Sequence, residues 1–501
     1  MTRSTAVPAV RRVTWAAALA ALLALAWAGP SPAAPFVYVG DTGGSVFQYG
    51  VGSGGLLSPL TPPSIAAGAG AGQVAVSPDG KSVYVTMPSG IAQFDLLDGG
   101  MLTPKNPPVL PVAGNPITIA VSPDGRSAYV SLIFNSVAQF DIVAGGGTLA
   151  PKATPTVQLI GELGGVTVSP DGKSVYVGVT QPSPDSPAAV AQYDVGAGGA
   201  ITPKSPPTVP AGIGPSAGIA VSPDQKSLYL VNEGSESISQ YDVDTAGRLK
   251  PKSVDAAGTG DTPSTIALTP NGKSAYVANF GEGPGGAGGS ISAYNVLSNG
   301  ELIGKRPAVV AAPANPDTIA VSADGKAVYA SGRNVVYQFG VSSNNDQLQP
   351  LSPATVPGGR GNGLALSPVL ATPGPDVLYG TAGPNRICGL GGKDVINGLG
   401  GNDVLFGDRC GERAGAGARD VLRGGAGHDR LVGGAGRDRL VGGAGRDRLH
   451  GGPGRDRIVA GDGRDVLDVR DGGRDRVDCG GGRDKVKTDD ADRVRNCERV
   501  R

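Results

Sequence analysis

One carboxylate recurs every nine residues through the last quarter of the chain. The sixth position of each repeat holds Asp376, Asn385, Asp394, Asp403, Asp420, Asp429, Asp438, Asp447, Asp456, Asp465, Asp475, Asp484 and Asp492. Two residues further on the side chain is always aliphatic, from Leu378 to Val494, and in GGAGRDRLV from Gly433 to Val441 the rest is mostly glycine and arginine. Regular carboxylates interleaved with glycine offer oxygen chemistry, which means cation binding rather than covalent catalysis. The chain has two His and four Cys, with no Cys-x-x-Cys, and this removes most zinc sites and most histidine-based catalysis. His428 and His450 fall at different repeat positions and read as surface residues. Lysine plus arginine balances aspartate plus glutamate at 43 each, so no global field recruits nucleic acid.

The nonapeptide resembles the hemolysin-type, repeats-in-toxin calcium-binding sequence GGxGxDxUx. The resemblance implies that glycines turn the chain, that the last three residues form a short strand with its aliphatic side chain inward, and that two nonapeptides make one coil. Aspartates eighteen apart then stack at about the 4.8 Å strand spacing, where they repel unless a cation intervenes. Calcium is the implied cofactor, with Asp376, Asp394, Asp403, Asp420, Asp429, Asp438, Asp447, Asp456 and Asp465 as metal ligands. Asp394 and Asp403, after Lys393 and Asn402, stay closest to the family pattern. One aliphatic residue per nine is too little core to fold without the ion. The sequence departs from the pattern at the fifth position, which is Arg at Arg419, Arg437, Arg446, Arg455, Arg464, Arg474 and Arg483. The seventh is Arg at Arg430, Arg439, Arg448 and Arg457. A rival follows, in which an Arg–Asp ladder neutralises the stack and makes the roll calcium-independent, as a structural cell-envelope component.

What precedes this array has a longer period. Val76-Ser-Pro-Asp-Gly-Lys-Ser-Val-Tyr-Val85 returns near residues 121, 168, 221, 268 and 321. Proline presets the first turn dihedral and glycine supplies the exit, so each copy predicts a hairpin. The recurrent Asp79, Asp124, Asp171, Asp224 and Asp324 belong to these turns. A third strand follows at Ala92-Gln-Phe-Asp95 and its equivalents, and a fourth around Leu102, Leu149, Ile201 and Leu249. Four strands per unit make one propeller blade. The segment opens on a second strand, Phe36–Val39, and ends on a first, Gly363–Leu366. The orphan pieces complete each other and predict seven blades closed into a ring.

These units resemble the YVTN family of β-propeller repeats, as in Tyr276-Val-Ala-Asn279, and the lactonase-type propellers, whose members include enzymes that open or close sugar lactones. The resemblance implies the fold over roughly residues 36–368. No catalytic residue carries over, because residues 1–427 hold no histidine. Loop residues after the second strands supply a possible ligand rim: Asp185, Asn232, Glu233, Glu236, Asn279, Glu282 and Arg333.

The fold class expected is therefore all-β, a seven-bladed β-propeller plus a C-terminal parallel β-roll. Residues 1–34 read as a signal peptide, with Arg3, Arg11 and Arg12 before an uncharged run and Pro30, Pro32 and Pro35 ending it. Residues 35–370 form the propeller and 371–501 the roll. Once the leader is removed no stretch is apolar enough to span a membrane, so the mature protein is expected outside the cytoplasm, free or at the cell envelope. The partners expected are calcium ions and an envelope or extracellular ligand at the rim, with no specific nucleic acid. Oxidation is then open to the cysteines. Sequence permits three pairings, of which the local ones, Cys388 with Cys410 and Cys479 with Cys497, bracket an irregular insertion and the terminal coils. Three readings of the whole compete: a non-catalytic calcium-binding recognition protein, a lactonase-like hydrolase acting through loop carboxylates, or a structural component of the cell envelope with no small-molecule ligand.

Overall fold

The computed structural model describes residues 36–500 apart from 98, 134, 160, 181–186, 214–215, 282–287, 343–345, 368–375, 381–385, 391 and 409–416. Asp185, Glu282, Asn385, Cys410 and the leader lie outside the described residues. So does the junction between the two repeat types. Within the described residues there is no α-helix, and no helix is long and apolar enough to cross a membrane.

Each SPDG segment is a tight turn between two strands, held by its own side chains. Ser77 Oγ donates to Asp79 Oδ1, the Lys81 N–H donates to the same oxygen at 3.1 Å, and the Ser82 N–H donates to Ser77 Oγ at 2.9 Å. The equivalents of Asp79 do the same at Asp124, Asp171, Asp224 and Asp324. These acids are spent on turns. The strands they join alternate in a four-stranded antiparallel sheet, as in Val74–Val76, Ser82–Met87, Gly90–Leu96 and Leu102–Pro111.

Seven blades form the ring, five as separate four-stranded sheets and two joined in one sheet, with the first strand of each blade innermost, packed against the first strands of its neighbours. In the last blade Ala327–Val341 carries the second and third strands around the exposed Arg333 and Asn334. Leu348–Leu366 then crosses from the fourth strand of that blade to the first strand of the next, where Val37 pairs with Leu366 and Val39 with Leu364. The two ends of the ring are closed as the orphan strands required.

The blades are fastened by the residues that recur. The second-strand tyrosine of every blade donates its hydroxyl to a main-chain carbonyl of the following blade, from Tyr38 to Gly100 at 2.7 Å round to Tyr329 to Gly55 at 2.7 Å. The third-strand glutamine does similar work: Gln139 accepts the Ile201 N–H at 2.8 Å and donates to the Thr154 carbonyl within its own blade. The buried lysines Lys105, Lys152, Lys204 and Lys252 each pair with a third-strand aspartate and donate to a carbonyl one blade on. Such buried polar groups hold the ring because each is hydrogen-bonded across a blade boundary.

After the propeller the strands shorten and become parallel. Two seven-stranded sheets alternate along the chain, one from Val377–Tyr379 to Arg493–Arg495 and the other from Arg386–Cys388 to Arg499–Val500. Leu422 stands in register with Leu440, Leu440 with Ile458 and Ile458 with Val477. The eighth-position side chains thus stack into one narrow core. Glycine is obligatory in the turns: at Gly445 φ is +140°, and a Cβ there would lie 1.7 Å from the Gly427 carbonyl.

Candidate metal centre

The turns between these strands place the sixth-position aspartates in two columns. In one column the Asp420 N–H donates to Asp438 Oδ1 at 2.9 Å, and Asp438 to Asp456 at 2.8 Å. In the other, Asp429 donates to Asp447 Oδ1 at 2.9 Å and Asp447 to Asp465 at 2.8 Å. Each carboxylate is thereby aimed by the main chain of the preceding coil. Asp376, Asp394 and Asp403 head the same columns, and all nine aspartates of the sequence-based set are buried.

The second oxygen is what matters chemically. Oδ2 of Asp394, Asp420, Asp429, Asp438, Asp447, Asp456 and Asp465 is buried and accepts no hydrogen bond. A buried carboxylate oxygen without a partner costs several kcal/mol in a low-dielectric site. Beside it the first glycine of the turn lets two oxygens close in on the main chain, leaving no room for a side chain. A Cβ on Gly442 would lie 2.5 Å from Asp447 Oδ2 and 2.4 Å from the Ala460 carbonyl. On Gly424 it would lie 2.3 Å from Asp429 Oδ2 and 2.6 Å from the Gly442 carbonyl. Each cradle therefore combines a carboxylate oxygen with a main-chain carbonyl of the next coil, a hard, all-oxygen donor set that fits calcium.

Without an ion these acids bind protons more tightly than ordinary carboxylates do. Burial first, and neighbouring aspartates second, raise Asp394 and Asp438 to about 8 and Asp447 and Asp456 to about 7, against the lowering effect of the N–H each accepts. Burial likewise raises Asp429 and Asp465.

The Arg–Asp ladder is not formed. Arg419, Arg437, Arg446, Arg455, Arg464, Arg474 and Arg483 are exposed, as are Arg430, Arg439, Arg448 and Arg457. Among the described residues the ion pairs of the roll are Asp468 with Arg470 and Lys487, and Asp478 with Arg495, all outside the columns. The physical reason is strand alternation: the sixth and eighth side chains face inward, so the fifth and seventh face out. The exposed His428 accepts the Arg446 N–H through Nδ1, and the half-buried His450 meets the Asp468 carbonyl. Cys479 and Cys497 form a disulfide.

The columns continue past the sequence-based set. Asp475 and Asp484 are buried with unpartnered Oδ2 atoms, and their signal was the same repeat position. Glu498 closes one column by accepting the Asp484 N–H at 2.7 Å, while Asp408 and Asp471 add buried carboxylate oxygens off the nine-residue register. No periodicity could have found these three.

On the propeller, Asn232 and Asn279 are fully buried. Their amides bind Ser237 and Ser239, and Ser290 and Ser292. They close loops inside the blades and are withdrawn from the rim. Glu233 is half-buried, Glu236 is exposed, and the exposed Arg333 lies over the Phe280 ring at 5.7 Å. Sequence reading missed Asp317, fully buried at the start of the innermost strand of the last blade. Burial, then the charge of Glu233, raises it to about 7. A polar cleft of about 1110 Å³ opens elsewhere, on the side of the SPDG turns, and includes Lys226, Lys273, Lys305 and Arg306.

Comparison with known proteins agrees with this architecture. Residues 188–358 match the family model of the lactonase seven-bladed β-propeller. Residues 370–408 and four overlapping segments from 414 to 486 match the RTX calcium-binding nonapeptide repeat. A putative 6-phosphogluconolactonase from Bacteroides fragilis is 18% identical with a TM-score of 0.56, covering 68% of this chain and 99% of its own. The periplasmic gluconolactonase of Pseudomonas aeruginosa is 19% identical with a TM-score of 0.54, covering 67% and 100%. At such identities the likeness is one of fold. No curated protein matches the chain in sequence. The chain thus joins a lactonase-type seven-bladed β-propeller to a roll of RTX calcium-binding nonapeptide repeats.

Proposed function

We propose that this is an exported calcium-binding protein, with a leader in residues 1–34, a propeller in 35–370 that presents its loop face to an extracellular or envelope ligand, and a roll in 371–501 that takes up calcium between coils. The observation that carries the reading is the repeated convergence of an unsatisfied Asp Oδ2 and a main-chain carbonyl of the next coil over a glycine. Ions filling these cradles discharge the columns, so uptake is coupled to folding and stabilises the folded roll. The test is calorimetric calcium titration of the full chain after chelation, together with scanning calorimetry. Uptake of several ions with an upward shift of one transition supports the reading. No uptake and no shift overturns it.

A second reading, a lactonase-like hydrolase, draws support from Asp317. A buried carboxyl whose pKa lies near 7 beside a second carboxyl is suited to hold or accept a proton at neutral pH. In this reading Asp317 takes a proton from water attacking a lactone carbonyl and returns it to the ring oxygen, which leaves the carbonyl carbon as the ring opens. Hydrolysis of gluconolactone above the spontaneous rate, lost in Asp317→Asn, is the expected result. Equal rates with and without the protein reject gluconolactone as the substrate.

A further inference from the structure

Between Asp465 and Asp475 the roll departs from its nine-residue period, and the departure brings in a third acid. Asp456 and Asp475 are neighbours in one column, but nineteen residues apart where the preceding pair is eighteen apart. The extra residue lies in the turn Val469–Gly473, and the third position of that turn is Asp471 where the two preceding turns of the column have Ala435 and Pro453. The lengthened turn is anchored on both sides. The Gly473 N–H donates to Asp471 Oδ1 at 2.6 Å, and the Gly472 N–H donates to Asp489 Oδ2 at 2.8 Å.

This anchoring directs Asp471 into the column. Asp456, Asp471 and Asp475 each offer a carboxylate oxygen, and these atoms lie within 4.8 Å of one another. Asp456 and Asp475 are 2% and 1% exposed, and Oδ2 of all three is buried and accepts no hydrogen bond. Arg455 and Arg474, their chain neighbours, are exposed. Three clustered carboxylates, each carrying a buried oxygen that accepts no hydrogen bond, are arranged for a cation.

We propose that Asp456, Asp471 and Asp475 form a distinct, three-carboxylate site for one hard divalent or trivalent cation, which fills before the cradles of the regular coils. The inference rests on the calcium reading of the roll and goes beyond it. The regular cradle of Asp447 pairs one carboxylate oxygen with one carbonyl, whereas this one sets three formal negative charges around a single ion. Charge count and the number of anionic ligands are what tune affinity for calcium among all-oxygen sites. Chain connectivity adds to the difference, because Asp471 and Asp475 come from one turn and need no second coil to meet.

The experiment is calcium titration of the full chain after chelation, repeated with Tb³⁺ as the probe, on the wild type and on Asp471→Asn, Asp471→Glu and Asp462→Asn. Asp462 occupies the same third position in a turn of regular length and is exposed. The wild type is expected to show one ion bound at least tenfold more tightly than the rest. Asp471→Asn loses that class and keeps the weaker ones, Asp471→Glu recovers it in part, and Asp462→Asn retains it. A cooperative roll transition in chelator, at or above the wild-type temperature, shows that each variant folds. If the wild type takes up calcium and Asp471→Asn takes it up with the same count and affinity, the three-carboxylate site is overturned and the calcium reading stands. If the wild type takes up none, the calcium reading fails and the site with it.

Discussion

Replacing Asp447 by asparagine should stabilise the roll in chelator and weaken it in calcium, a reversal of sign that few structural substitutions produce. Asparagine keeps the Oδ1 acceptor for the Asp429 N–H and puts an amide donor where Oδ2 stands, beside the Ala460 carbonyl. The charge it removes is an expensive one. Burial, with Asp429 and Asp465 above and below, raises Asp447 to about 7, and every tenfold gain in proton affinity corresponds to about 1.4 kcal/mol. From the ordinary carboxylate value of about 3.9 this gives roughly 4 kcal/mol at pH ~7.5. Halved for the water that reaches the turn, about 2 kcal/mol remains. For a unit of the roll's size that corresponds to a rise of about 8 °C in the metal-free transition. In calcium the same variant loses a carboxylate ligand, so its calcium-induced rise should be smaller than that of the wild type and one ion should be missing. Scanning calorimetry with and without chelator reads both effects. A variant that melts lower in chelator while gaining as much from calcium as the wild type would refute the reasoning.

Other consequences are equally open to measurement. Because Asp394 and Asp438 are raised to about 8 in the folded, metal-free roll, the stability they contribute is fully present below the unfolded carboxylate value and is lost as pH rises through about 8. The calcium-induced rise in melting temperature should therefore grow from about pH 5 to about pH 8, with protons released on binding; a flat profile would count against the columns. Gly445→Ala forces a Cβ against the Gly427 carbonyl and should abolish the roll transition at any calcium concentration, leaving the propeller transition in place. Gln139→Leu strands the Ile201 N–H between two blades and should cost about 1–3 kcal/mol, read as a lower urea midpoint of the propeller transition.

Repetition made the fold legible. The SPDG turns, the second-strand tyrosines and the eighth-position aliphatics each satisfy a local requirement that recurs, and Tyr38 without its hairpin already implied a partner near Leu366. The aspartate columns were legible for the same reason. What escaped were groups whose role depends on three dimensions and on no period: Asp317 behind the loops, Asp471 in a lengthened turn, Glu498 at an end. The arginines misled in the opposite way. Adjacent in sequence to the acids they were expected to neutralise, they project from the other face of each strand. Asn232 and Asn279 stood among exposed loop residues, yet their amides are consumed within the blades.

Each regular coil of the roll receives from its predecessor the same donors and acceptors that it hands on. The Asp429 N–H meets Asp447 just as the Asp447 N–H meets Asp465, and Leu422, Leu440 and Ile458 succeed one another in register. Excising residues 433–450 would join one coil to another that presents an identical edge. Length is thus a free variable of the architecture, adjustable in steps of eighteen residues. The number of ions held, and with it the steepness of the response to calcium, can change over evolutionary time without disturbing the propeller.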